Sequence, residues 1–455
     1  MRTLTFSFLL LSFALCSAKL HAQTTTSDSI GSVLPLRQAV DIAVRNNLQV
    51  NTTDLQSQTY KVAFDQSWEY MLPTLNLSGS QGINFGRSLN TTNYTYTNQQ
   101  TGSGNYSLNT NIPIFQGLQL QNGVKQARYV FDASRMDIKW QKDNITLNVL
   151  LAYLQVLSAR DQLAATRQQE DYDTSNLHRL EIQNSEGALL VISDLNNIRG
   201  QVAQDEINIA TAIQQLEMNK IALFQLMNVP YRRDAEYENS VNTANINDYQ
   251  TSSDSLFYSA LQVVPTIESS RLKVLAAQKG LAVARGGFWP SLGVGASVTS
   301  YYNGAATDPV SNGKLPWGTQ FKDNRAENIG LSLNWNILNG FRARNNVRNQ
   351  KINVKLAEVN ANNTRLTLQQ QVEQNFQAMV AAYKQYKFYT QQAAEFAEAF
   401  RITDVRFKEG VITADVYIQA KARSDAATIN AAAARYIYIF RTKVLDYYRG
   451  RLAIS

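Results

Sequence analysis

Few side chains in this sequence have the type and spacing that chemistry needs. The one cysteine, Cys16, and the first of two histidines, His21, fall within the first 22 residues. The second, His178, stands between Leu177 and Arg179 and reads as a surface or packing residue. A Ser-His or Cys-His nucleophile, or a Cys/His metal site, needs more partners than these. Asp171 and Asp173 come nearest to a catalytic carboxylate pair. They lie in a glycine-free helical run, where residues two apart face away from each other. No GxxxxGK[ST], HExxH or GxGxxG pattern is present. The chain therefore reads as a protein that is not an enzyme and holds no cofactor and no metal.

The N-terminus specifies export. Arg2 forms a basic start, Leu4 to Leu15 form an uncharged apolar run, and Ala22-Gln23 offers a small-residue cleavage site. Residues 1–22 are thus expected to be a signal peptide, too short to span a bilayer as a helix. Leu15 precedes Cys16 where a lipid-attachment box needs a small residue, so Cys16 is expected to leave with the signal. The mature chain then has neither disulfide nor thiol. Lys and Arg outnumber Asp and Glu by 43 to 36 with no dense basic run, which argues against nucleic acid. No later segment approaches the ~18 uncharged apolar residues of a spanning helix. Any membrane crossing must be a β-barrel.

What would position a function in such a chain is an internal duplication. Met71-Leu72-Pro73-Thr74-Leu75 resembles Phe288-Trp289-Pro290-Ser291-Leu292. Asn111-Ile112-Pro113-Ile114-Phe115-Gln116-Gly117 resembles Asn334-Trp335-Asn336-Ile337-Leu338-Asn339-Gly340, and Glu186-Gly187 resembles Glu409-Gly410. The expected organisation is a first repeat over 23–229, a linker over 230–255 and a second repeat over 256–455. Each repeat reads as helix, strand, strand, very long helix, turn, helix. Gly and Pro are absent from Val124 to Glu186, from Phe341 to Glu409 and from Val411 to Arg449. A helix over either of the first two runs is about 100 Å long and needs coiled-coil partners. Leu147, Leu150, Leu154, Leu157 and Asp161 mark a narrow seam on the first.

Four strands are expected from period-two alternation. Ile329, Leu331, Leu333, Trp335 and Ile337 share one face, against Gly330, Ser332, Asn334 and Asn336. Tyr106, Leu108, Ile112 and Ile114 oppose Ser107, Asn109 and Asn111. Leu292, Val294, Ala296 and Val298 repeat the pattern, as do Leu75 and Leu77. Tyr94, Tyr96, Tyr301, Tyr302 and Trp289 stand near the strand ends, as in a membrane barrel. The links 86–104 and 303–327 read as surface loops. Four strands cannot close a barrel, and open edges in lipid are costly. A shared barrel of twelve strands from three copies satisfies both conditions.

These residues resemble the TolC family of outer-membrane efflux proteins. Leu36-Arg37-Gln38-Ala39-Val40-Asp41-Ile42-Ala43-Val44-Arg45-Asn46-Asn47 is similar to the family's opening helix. Pro73 and Pro290 match its helix-to-barrel junctions. Pro113, Gly117 and Gly340 match the turns where strands return to helix, and Gly187 and Gly410 its hairpin tips. The resemblance implies an α+β homotrimer with a twelve-stranded barrel in the outer membrane of a Gram-negative cell and a periplasmic α-barrel. It implies an exit duct for a tripartite efflux or type I secretion system, partnered by a periplasmic adaptor and an inner-membrane pump.

It also implies a polar gate near the tips, matched here by Asp194, Asp415 and Phe407. Phe407 stands where some members have tyrosine, and Ile418 replaces a second acid, so the lock is weaker or rebuilt. An acid just after a turn equally caps a helix. The turns containing Gly187, Ala188 and Leu189, and Gly410, Val411 and Ile412, are candidates for adaptor docking, or simply glycine-capped helix ends. The competing reading is a secreted or periplasmic coiled-coil structural or spacer protein without a pore. Drug, metal and protein cargo all remain open.

Overall fold

A computed structural model describes residues 33–90, 94–98, 100–186, 192–238, 248–308, 310–311 and 313–452. The expected signal peptide, with Cys16 and His21, lies outside the described residues, as do Gly187, Ala188 and Leu189.

The duplication is visible in the lengths of the elements. The first repeat opens with a short strand β1 (Val33–Leu34), then helices α1 (Leu36–Asn46, 11 residues) and α2 (Leu48–Glu69, 22 residues). The second opens with α5 (Ser253–Val263, 11 residues) and α6 (Pro265–Gly286, 22 residues). The expected single opening helix is therefore two helices in each repeat. At the first break, the Asn47 side chain accepts from Gln49 N–H at 2.9 Å and restarts the helix. At the second, Pro265 stands at the first helical position, where its missing N–H costs nothing. The long helices follow the same rule. They are α3 (Gln119–Ser185) and α8 (Arg342–Lys408), each of 67 residues, with return helices α4 (Ile192–Met227) and α9 (Ala414–Tyr448).

Between helices run the strands β2 (Thr74–Asn84), β5 (Thr101–Gln116), β7 (Ser291–Asn303) and β8 (Ala326–Asn334). They form one antiparallel sheet in the order β2-β5-β7-β8. Register places Leu77 beside Leu108 and Val298, Ile112 beside Val294 and Leu331, and Leu292 beside Leu333. One face is thus largely apolar, interrupted by Thr110 between Leu75 and Ala296 and by Glu327 beside Val298, and much of it is exposed in the protomer: Leu77 is 81% accessible and Leu331 68%. Such a face fits lipid, with strands near the ~9–11 residues a tilted membrane strand needs.

Several boundaries differ from expectation. Pro113 is no junction; it lies inside β5, beyond the last β2 pair (Thr74 with Asn111), so its missing N–H costs nothing on that side. The register shifts between Pro113 and Phe115, so Phe115, rather than Ile114, pairs with Leu292. β8 ends at Asn334, so Trp335 and Ile337 lie beyond the sheet, with Trp335 Nε1 donating to Phe288 O at 3.3 Å. The two links are more than loops. The first holds the hairpin β3 (Arg87–Asn90) and β4 (Thr95–Asn98). The second holds α7 (Trp317–Asp323), whose buried Gln320 donates to the carbonyls of Asn303 and Leu315. Within the linker, β6 (Glu236–Tyr237) pairs in parallel with β1, and Tyr153 Oη lies 2.8 Å from the carbonyls of both Leu34 and Glu238.

Gly117 and Gly340 do turn strand into helix, at φ +58° and +61°, each followed by a second left-handed residue, Leu118 and Phe341. A Cβ on Gly117 would stand 2.3 Å from Gly286 O, so a side chain there would also separate α6 from the β5–α3 turn.

Two apolar cores hold the wide middle of the helices. One gathers Ile42, Val149, Tyr153, Leu157 and Phe224, the other Leu256, Leu368, Val372, Tyr438 and Leu445. Among the described residues no helix is long and apolar enough to cross a membrane.

Candidate functional site

The far end of the helical hairpins brings the expected gate residues together. Leu180 of α3, Leu195 and Ile198 of α4, Phe407 of α8 and Ala414 and Tyr417 of α9 form a small separate core. Phe407 stacks on Tyr417 at 4.7 Å between ring centroids, with the Arg179 guanidinium 5.6 Å from the Phe407 centroid. Phe407 is thus buried inside its own protomer.

Asp194 and Asp415 occupy equivalent first turns of α4 and α9 but behave differently. Asp194 Oδ1 accepts from Ala414 N–H at 3.3 Å, so an acid of the first repeat caps a helix of the second. Thr413, at the N-cap of α9, makes no such bond with its own side chain. Asp415 is exposed. Gly410, at φ +70°, closes α8: its N–H bonds Phe407 O at 3.0 Å, and Val411 N–H bonds Arg406 O at 2.9 Å. This is a Schellman ending, which a left-handed residue makes possible. Ile412 packs on the tip core, while Val411 points to solvent, 65% accessible.

Above the tip lies a group that motif reasoning passed over. Lys421 of α9 is 2% exposed, with Nζ 2.9 Å from Asp173 Oδ2 of α3, 3.5 Å from Asp205 Oδ2 of α4 and 2.9 Å from Asp425 Oδ2 of its own helix. Tyr417 donates its O–H to Asp173 Oδ1 at 2.9 Å and accepts from Asn176 Nδ2 at 2.9 Å. Gln201 donates to Asp205 Oδ1 at 3.0 Å. Burial, then the neighbouring Asp205 carboxyl, pushes the Asp173 carboxyl up to about 7, against the pull of Lys421 and Tyr417. Burial also raises Asp425, though Lys421 opposes it. Desolvation alone would lower Lys421, but Asp173 and Asp425 more than offset it and its ammonium is held up. Asp173 is therefore a buried ion-pair partner and Asp171 is exposed, which separates the two carboxylates as helix geometry requires.

Higher on the same helices, Asp161 accepts from Arg435 at 3.0 Å and from the Tyr436 hydroxyl at 2.6 Å. The seam residue Asp161 is thus another tie between α3 and α9. Among the described residues no cluster of three or more His, Cys, Asp or Glu is arranged to hold a metal ion.

An open apolar-faced sheet on long paired helical hairpins defines a protomer of outer-membrane channel architecture. The profile of the outer membrane efflux protein family matches residues 40–229 and 256–440, and the chain belongs to that family. It is 21% identical over 221 residues to the outer membrane protein TolC of Escherichia coli (strain K12), a match spanning 44% of this chain and 45% of TolC. The fold is similar to that of CusC (TM-score 0.75, 16% identity, 91% of each chain). It is similar also to the CmeC outer membrane channel of Campylobacter jejuni (0.73, 19%, 92% of this chain and 86% of CmeC) and to the open state of the MtrE outer membrane channel of Neisseria gonorrhoeae (0.71, 17%, 92% and 90%). The family is that of outer membrane efflux proteins, which places the chain in the Gram-negative outer membrane, and the solved channels share its fold.

Proposed function

We propose that three copies close one barrel and one helical duct, through which solutes leave the periplasm without covalent change. The observation that carries this reading is the sheet itself. Among the described residues its outer strands β2 and β8 have no partner on their far sides, and its apolar face is uncovered. Unpaired strand edges in lipid are expensive, and pairing β8 of one copy with β2 of the next removes them all. A soluble spacer has no use for such a face.

In this reading Asp415, exposed at the start of α9, lines the periplasmic entrance as one of three symmetry-related carboxylates that favour cations. Asp194 caps α9 and holds it in place, and Phe407 packs the tip from within. The tip turns, with Val411 outward, are the surface offered to a periplasmic adaptor, which couples the duct to an inner-membrane pump. The chain itself catalyses nothing. Light scattering of the detergent complex, corrected for detergent, should give a mass near three chains. A detergent-independent monomer or dimer would remove the shared barrel and restore the spacer. In a reconstituted trimer, Asp415→Ala should raise closed-state conductance; an unchanged value leaves Asp415 no gating role.

A further inference from the structure

Near the tip α9 of the second hairpin packs against α3 and α4 of the first, and the best-buried polar contact between them is the group around Lys421. Lys421 reaches one carboxylate on each of three helices. Asp173 is fully buried and Asp205 nearly so, at 0% and 3% exposure, and both stand on the first hairpin while Lys421 belongs to the second. Three carboxylates around one ammonium leave the group net negative when all are ionised, with Asp173, Asp205 and Lys421 withdrawn from water and Asp425 partly exposed at the edge. Breaking such a contact strands charge, so it is either fully made or fully released.

We propose that Asp173, Asp205, Asp425 and Lys421 form a proton-sensitive clamp that holds α9 of the second hairpin against α3 and α4 of the first and sets how readily the tip opens. The clamp rests on the gate reading above for its effect on flow, though not for its own existence. The groups facing it are Asp173, Gln169 and Asn176 from α3, Asp205 and Gln201 from α4, and Tyr417 and Asp425 from α9. The pair of Asp404 and Lys408, with Tyr172, lies toward the tip.

With one proton on Asp173, its carboxyl hydrogen-bonds Asp205 and the repulsion between the two is gone. In the clamped state Asp173 titrates near 7; released into water it returns to its ordinary value of 3.8. A group whose pKa is raised in the closed state favours that state most in acid. The advantage is complete below about pH 4, falls as pH rises to about 7, and is constant above that, with a slope of up to about tenfold per pH unit per protomer. Asp425, also raised, acts in the same direction.

The test is hydrogen exchange of amides 414–425 in the full-length complex in detergent from pH 4.5 to 8, read as protection factors, alongside conductance in planar bilayers. Wild-type protection should fall through that window, and in Asp173→Asn, neutral at that position at every pH, the fall should shrink to what Asp425 alone contributes. Asp205→Asn removes the neighbouring charge and should move the step to lower pH, which a merely structural contact would not do. Asp415→Asn should leave the protection profile in place. Protection independent of pH in the wild type, or an Asp173→Asn profile identical to it, overturns the clamp. Protection that follows the proton while conductance stays flat rejects the gate at this tip and leaves the clamp.

Discussion

Helices α3 and α8 are the same element twice: 67 residues each, entered through the same pair of left-handed residues and ended at a hairpin tip. Their burial is quite different. Eighteen residues of α3 are buried in the protomer, against six of α8. α3 is enclosed by α2, α4, α6 and α9, whereas α8 has neighbours mainly along α6 and α9. The apolar residues of α8 are not fewer for that; Ile352, Leu356, Val359 and Leu366 stand exposed along it. The second repeat carries the apolar pattern of a buried helix in a place where one protomer does not bury it. A stripe of this kind asks for a second copy, as the uncovered sheet face does.

The contrast can be broken most forcefully at Lys421, where α9 reaches back to the first hairpin. Lys421→Met leaves buried carboxylates unpaired and should cost about 3–5 kcal/mol at pH 8, with a smaller loss at pH 5, where Asp173 takes up a proton. Melting of the helical circular dichroism at the two pH values measures both. Equal losses would mean that Asp173 does not titrate in the window assigned to it.

The next effect compares like with like. Leu150→Ala in α3 removes a residue 3% exposed in the first core and should destabilise by about 2–5 kcal/mol. Leu356→Ala in α8, 57% exposed, should change protomer stability by less than about 0.5 kcal/mol while weakening the three-chain mass in detergent. Should Leu356→Ala leave the mass unaffected under dissociating detergent, the exposed stripe of α8 would not be an interface. The smallest effect is at the cap that ties the repeats together. Asp194→Ala should cost about 1 kcal/mol by freeing the Ala414 N–H, visible as faster exchange of the first turn of α9. Exchange confined to wild-type rates there would remove the cap.

Much of this architecture was legible before any coordinates. The long helices announce themselves because no Gly or Pro interrupts them, and the strands because apolar and small polar residues alternate. Two missed features had signals that were available: Asn47 is a good N-cap and Pro265 a good first helical residue, so both helix breaks could have been placed. The bulge at Pro113 was hidden because the period-two pattern reads straight through it. α7 was hidden because seven residues in a Gly-, Asn- and Pro-rich link carry too little periodicity. Of the tip, the glycine turns and the acids after them were visible, but not which helix each acid serves.

The sequence alone determines what is local: helix length, strand alternation, the left-handed turns at Gly117, Gly340 and Gly410, and the duplication that pairs them. Apart from the duplication, which is read by comparing distant segments, each depends on residues a few positions apart, whose steric and solvation preferences act without reference to the rest of the chain. Only the tertiary structure decided that Asp194 caps the other repeat's helix, that Phe407 turns inward onto Tyr417, and that Lys421 meets Asp173 and Asp205. Those partners are more than two hundred residues from Lys421 and Ala414 along the chain. In an Ala-rich helix Lys421, with Arg423 and Asp425 beside it, reads as part of a solvated face. Its burial follows from the way two hairpins pack, which no spacing within either hairpin encodes.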